Sequence, residues 1–222
     1  MTRTIVFAGV LVSAMGARAG DFCGSLDGPG ALRELDRYAA GKGGRVDPDC
    51  FAQTYGDRLP DAVQARVLAA CTKAVGLAAA KRSAELDSWC TLDVLTSGAG
   101  RVGDRDLVGE IIAKPWSWDG WPPYRALAAS GDGRVRAFVL AQFATHRETW
   151  RKKKLRAAWA KDTWREHERS VLAALEKLAT ADDLALIAEI EADQPKDKRI
   201  ARAVERAREA AGARKTPAPP AQ

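Results

Sequence analysis

Apolar residues recur along this chain at the spacing of one helix face. In VRAFVLAQF, residues 135–143, Val135, Phe138, Val139 and Phe143 stand at i, i+3, i+4 and i+8, with Gln142 the polar exception at i+7. An earlier stretch, VQARVLAAC at residues 63–71, matches it at five of nine positions and sets Val63, Val67, Ala70 and Cys71 on the corresponding face. Ser170, Val171, Ala174, Leu175 and Leu178 make a third such face, and Ile200, Ala203, Val204 and Ala207 a fourth. Val67, Val139, Val171 and Val204 are separated by 72, 32 and 33 residues, so the first gap is about two periods of the others.

A second helical segment precedes each face. DPDCFAQTYGD opens with Asp47 as N-cap and Pro48 at the first helical position and stops near Gly56. PPYRALAASGDG leads through Gly131 and Gly133 into the 135–143 helix, ETWRKKKLRAAWAKD precedes the third face, and ADDLALIAEIEADQP precedes the fourth, broken at Pro195. The long first gap holds SAELDSWCTLDVLTSG and DRDLVGEIIAK, which supply the missing pair. No run of period-two alternation bounded by turns occurs, so the pattern predicts helices without a sheet.

DGRVRAFVLAQF, with its Asp, then Val-Arg, then small and apolar residues, resembles the second helix of a HEAT repeat. The resemblance to the HEAT and armadillo class of α-solenoids covers roughly residues 47–211. It implies an all-α fold of stacked antiparallel helix pairs, each covering the apolar stripe of its neighbour. The chain departs from regular repeats in its uneven first gap, its cysteines and a Trp-rich insertion. An irregular all-α domain is the alternative.

The first nineteen residues carry one early basic residue, an apolar run from Ile5 to Met15, and the triplet Ala17-Arg18-Ala19. This is the pattern of a secretory signal peptide cut before Gly20. The apolar run is shorter than the roughly 20 residues a membrane-spanning helix needs. The expected organisation is therefore a signal peptide at 1–19, an all-α helical-repeat domain at 20–211 and a disordered Pro/Ala tail at 212–222, in a soluble protein exported to the periplasm or outside the cell. Loss of Arg3 and Arg18 lowers the net charge from +6 to +4.

Cys23, Cys50, Cys71 and Cys90 all survive that cleavage, at spacings of 27, 21 and 19 residues with no Cys-x-x-Cys pair. Export and an even count favour two disulfides over a zinc site. Three connectivities exist. Cys23–Cys50 with Cys71–Cys90 is preferred, because a helical hairpin turning near residue 80 sets Cys71 opposite Cys90. Two such links suit an Ala- and Gly-rich half that buries little area per residue.

Catalytic constellations are scarce. His146 and His167 stand 21 residues apart amid charged neighbours and are expected at the surface or at helix ends. No Gly-x-Ser-x-Gly elbow, phosphate-cradling loop or His-Glu-x-x-His occurs, and neither a cofactor nor a metal is implied. Two stretches are candidates for binding. KPWSWDGWPPY, residues 114–124, gathers Trp116, Trp118, Trp121 and Tyr124 beside three prolines, either as a platform for a sugar or peptide with Asp119 as acceptor, or as rings buried between helices. Residues 147–169 hold nine basic and four acidic residues, a net +5 that includes Lys152, Lys153, Lys154 and Arg156, interleaved with Trp150, Trp159 and Trp164. In an exported chain such a segment points away from nucleic acid and toward anionic envelope polymers, acidic proteins or membrane phosphates, unless it is simply a wet helix face.

These features predict an exported binding or scaffolding protein that engages a protein partner on a helix-lined surface. A binder of anionic envelope polymer or glycan through residues 147–169 and 114–124 is the alternative. An enzyme whose carboxylates converge only in three dimensions is the third reading.

Overall fold

The computed structural model describes residues 28–42, 50–51, 55, 59–117, 120–153, 158–194 and 196–214. The expected signal peptide, Cys23, most of the 47–57 segment, Trp118, Asp119, Lys154, Arg156 and the Pro/Ala tail from residue 215 lie outside them. Where described, the chain is mostly helical, as the apolar spacing predicts. It forms two compact units, one reaching to Ser97 with Val102–Arg105 added, the other made of Gly98–Arg101 and everything from Asp106.

In the first unit α1 (Gly28–Ala39) packs on α2 (Asp61–Val75), and α2 on α3 (Ala84–Thr96). Asp61 places a negative charge in the first turn of α2, where the helix dipole favours it. The buried face of α2 is Val67, Ala70, Cys71, Ala74 and Val75, five of the positions that the apolar period marks or extends. This face is small in area, and a covalent link reinforces it: Cys71 and Cys90 form a disulfide across α2 and α3, with Cα atoms 4.7 Å apart. The preferred Cys71–Cys90 pairing is thus observed. Cys50 is buried and no described cysteine is free. Arg105 closes the unit, its two Nη atoms donating to both Asp87 carboxylate oxygens at 2.7 and 2.9 Å and to the Val75 carbonyl at 2.9 Å.

The expectation of a chain without strands needs one correction. Arg101–Val102 and Arg105–Asp106 pair as β1 and β2 of a minimal hairpin. Gly103 takes φ +56° in its two-residue loop, the positive φ that such tight connections require. The strands are too short to show a period in the sequence.

The second unit contains α4 (Leu107–Ile112), α5 (Tyr124–Ala129), α6 (Arg134–Lys153), α7 (Ala158–Leu178), α8 (Leu184–Asp193) and α9 (Lys198–Ala213). Helix α7 is central: α5, α6 and α9 pack on it, and α9 also packs on α8. Asp106 caps α4 by accepting from Gly109 N at 3.0 Å, and Asp197 caps α9 by accepting from Arg199 N and Ile200 N. Gly131, at φ +69°, ends the α5 segment just before α6 begins. Helix α9 runs to Ala213, and Arg214 donates to the carbonyls of Glu176 and Ala179 at the end of α7, so the ordered chain passes the expected boundary at 211.

The expected frame of helix pairs does not hold between residues 134 and 178. The frame assigns ETWRKKKLRAAWAKD to a helix of its own, whereas its first six residues complete α6 and its last five begin α7. No Gly or Pro stands between Arg134 and Lys153, so nothing ends the helix after Phe143. Val139 and Val171 consequently lie on consecutive helices, although 32 residues separate them.

Candidate functional site

The second unit holds the chemistry. On α6, Val135, Val139, Phe143, His146 and Trp150 follow one another at steps of four, four, three and four, and on α7 the sequence Ala160, Trp164, His167, Val171, Ala174 steps by four, three, four and three. Both histidines therefore occupy positions of the apolar face and are buried, contrary to the expectation that they lie at the surface. His146 Nδ1 is 3.3 Å from His167 Nε2, and the Tyr124 hydroxyl is 3.2 Å from the same nitrogen. Rings of Trp121, Phe143 and Trp164 lie 5.1 to 5.7 Å from the His167 ring.

This packing keeps His167 neutral. Burial, and secondarily the charge that His146 would carry, lower its pKa to about 3, and its Nδ1 is buried without a hydrogen-bond partner to stabilise an imidazolium. Burial also pushes the Tyr124 hydroxyl upward. His167 is fully buried, so no substrate reaches its ring. The cluster is a buried core in which Tyr124 and His146 both meet His167 Nε2, while His167 Nδ1 stays without a partner.

The same face continues outward into a cavity. Phe143, Trp164 and Trp150 stack in series, with centroids 5.5 and 5.6 Å apart and interplanar angles of 18° and 7°. Trp164 is buried, while Trp150 is half-exposed at the end of the stack. Beside these rings Lys161, Arg165, Asp193 and Gln194 complete a depression of about 260 Å³. Asp193 is held there by Arg147, whose Nη2 donates to it at 2.9 Å while Nη1 engages Glu189.

Behind Trp164 and Gln194 sits Glu168, fully buried. Burial pushes its carboxyl up to about 8; Gln194 opposes the rise, the Asp193 charge adds to it, and Trp164 and Arg147 oppose it more weakly. Gln194 and Trp164 are close enough to act on the carboxyl electrostatically, yet both Glu168 oxygens and Trp164 Nε1 lack a hydrogen bond of good geometry.

Arg165 and Gln194 also line a second, wider depression of about 610 Å³ that continues from the first. Its cations are Arg165, Arg169, Lys196, Lys198 and Arg199, against only Glu166 and Asp197. Arg165 is tied to Asp162 and Asp197, and Arg169 to Glu166. Among the described residues Lys161, Lys196, Lys198 and Arg199 form no ion pair. The result is a groove, aromatic at one end and cationic along the rest.

The residues singled out from the sequence fall on both sides of this picture. Tyr124 is buried against His167 and cannot serve as an open platform; Trp121 is half-buried on the same histidine. Trp116 is half-buried and its Nε1 donates to the Ile111 carbonyl at 2.9 Å. Lys152 is exposed and paired with Glu148 at 2.6 Å. Trp118, Lys154 and Arg156 lie outside the described residues, as does the side chain of Lys153. From the basic stretch it is instead Trp150, Lys161, Trp164, Arg165 and Arg169 that meet in the groove, joined by Gln194 and Lys196 from the α8–α9 connection and by Lys198 and Arg199 at the start of α9.

Among the described residues no group of three His, Cys, Asp or Glu side chains is placed to hold a metal ion, and no helix is long and apolar enough to cross a membrane. No family model matches the chain, and no curated protein or solved structure matches it either.

Proposed function

We propose that the protein is an exported helical binding module that holds an anionic polymer in the groove of α7, α8 and α9. The observation that carries this reading is the set of unpaired cations Lys196, Lys198 and Arg199 beside Arg165 and Arg169. A cationic side chain already locked in an ion pair gives little to a ligand, whereas an unpaired one meets only water and is free to neutralise an incoming anion. The Cys71–Cys90 link accords with an oxidising compartment, and a second link, Cys23–Cys50, belongs to the same reading. The stacked helix-pair arrangement is retained here only for α7, α8 and α9, where a short helix bridges two longer packed ones.

The test is a titration of the protein with fluorescent oligogalacturonate and with oligoglutamate at low and high salt. Screening confines exposed charges to a reach of roughly 8 Å at physiological ionic strength, so affinity for at least one oligomer falls as salt rises. The combined variant K196Q, K198Q and R199Q weakens that binding about tenfold, equivalent to about 1.4 kcal/mol, with thermal stability little changed. Absence of binding to both oligomers, or binding indifferent to salt and to the triple variant, overturns the reading.

A further inference from the structure

The two ends of the groove differ in a way that pure charge recognition does not explain. A site for carboxylates or phosphates alone is best built from donors. The cationic stretch answers to that, but the aromatic end places Asp193, an obligate acceptor when ionised, against the depression. An anionic group seated there would meet this carboxylate at close range.

What the aromatic end does offer is a mixed set: donors on Lys161 and Arg165, an acceptor on Asp193, and both kinds on Gln194, beside the half-exposed ring of Trp150. Trp150 is held flat by the parallel Trp164 behind it, 7° from coplanar, so its free face is fixed in direction. A hydroxyl both donates and accepts, and a sugar ring shows a C–H face to an aromatic plane while its hydroxyls point outward to polar groups. The depression, about 260 Å³, is smaller than the roughly 300 to 1,000 Å³ typical of drug-sized ligands and is scaled to one ring.

Resting on the anionic-polymer reading above, we infer that the groove takes an acidic polysaccharide, one sugar ring lying against Trp150 between Lys161, Asp193 and Gln194 while the charged groups of the following residues meet Arg169, Lys196, Lys198 and Arg199. Because Arg165 and Gln194 border both depressions, they stand where a ring on Trp150 would turn its own carboxylate away from Asp193 and toward the cationic stretch.

The experiment compares oligogalacturonate with oligoglutamate of equal length, which carry the same carboxylates with and without sugar rings. The expected result is tighter binding of oligogalacturonate, a loss of about tenfold for that ligand alone in W150A and in Q194A, and a loss for both ligands in the K196Q, K198Q and R199Q variant. The Gln194 variant keeps the test valid if W150A disturbs the ring stack, which near-ultraviolet circular dichroism reports. Equal affinity for the two oligomers, tighter binding of oligoglutamate, or unchanged oligogalacturonate affinity in both single variants overturns the sugar assignment while leaving the anionic groove in place. Failure of both oligomers to bind the unaltered protein removes the anionic groove itself.

Discussion

His146 and His167, 21 residues apart in the sequence, meet inside the second unit with Nδ1 of the first 3.3 Å from Nε2 of the second. The contact arises because each takes a position that a Val or Leu would otherwise fill on α6 or α7. Immediately after His167 in the chain, Glu168 is buried as well, in line with Leu172 and Leu175 on the neighbouring face of α7. Two adjacent titratable groups are thus both held neutral by burial, and their pKa values move in opposite directions.

The pH dependence of stability follows from those directions. His167 falls from 6.5 to about 3 in the folded protein, so its contribution is complete above pH 6.5 and is lost as pH drops toward 3. Glu168 rises from 4.5 to about 8, so its contribution is complete below pH 4.5 and is lost as pH climbs toward 8. Between pH 4.5 and 6.5 the two slopes oppose and largely cancel. In thermal unfolding followed across pH these two contributions leave no net slope in that window, where Asp93 on α3, raised by burial to about 6, adds its own decline, and each group changes stability by at most about 1.4 kcal/mol per pH unit. Glu168→Gln flattens the alkaline limb and leaves the acid one. An alkaline limb as steep in that variant as in the parent would mean that Glu168 titrates as it does when unfolded.

The same two positions mark what the sequence could and could not reveal. The helices α2 and α9, the first half of α6 and the last part of α7 were legible because Val, Leu, Ile and Ala repeat at 3.6-residue spacing. The placement of Cys71 opposite Cys90 followed from a turn near residue 80. His146, His167 and Glu168 were hidden by their neighbours: in WREHERS the surrounding charges mask the fact that 164, 167, 168 and 171 lie on the inner side of α7. Counting by three and four from Trp164 would have found both residues. The groove was only half legible, since Lys161, Arg165 and Arg169 belong to a visible charge run, whereas Lys196 in the α8–α9 connection and Lys198 and Arg199 in the first turn of α9 reach it only through the fold. The hairpin at Arg101–Asp106 left no period to read, because four paired residues are fewer than alternation needs.

Removing the Cys71–Cys90 link is expected to act on the first unit. The cross-link closes a loop with a sequence separation of 19, for which the loop-entropy estimate gives roughly 3 kcal/mol. The face it joins is built largely from Ala70, Ala74 and Val75, which offer little burial to offset the loss. The variant C71A with C90A should therefore expose the amides of α2 and α3 in hydrogen exchange while α6, α7 and α9 keep their protection. Uniform loss of protection along the chain would contradict the assignment of the link to one unit.

The ion pair between Arg136 on α6 and Asp183 allows a sharper test, because its two members are buried unequally. Arg136 donates through Nε and Nη2 to the two carboxylate oxygens at 2.9 and 2.7 Å, and Nη2 also reaches Thr180 Oγ1 at 3.1 Å. Asp183 in turn accepts from Thr180 N at 2.8 Å, fixing the turn that leads into α8 and hence the position of Asp193 and Gln194. The Asp183 side chain is 3% exposed and that of Arg136 is 30% exposed. When the carboxylate is lost, the guanidinium can turn to water. When the guanidinium is lost, the carboxylate stays buried without its cation, the costlier outcome of breaking a buried pair. Arg136→Met is thus expected to cost about 3 kcal/mol, and Asp183→Asn, which keeps an oxygen for Thr180 N, about 1 to 2 kcal/mol. Chemical denaturation of the two variants measures both, and an order reversed from this would show that Asp183 reaches solvent once Arg136 is gone.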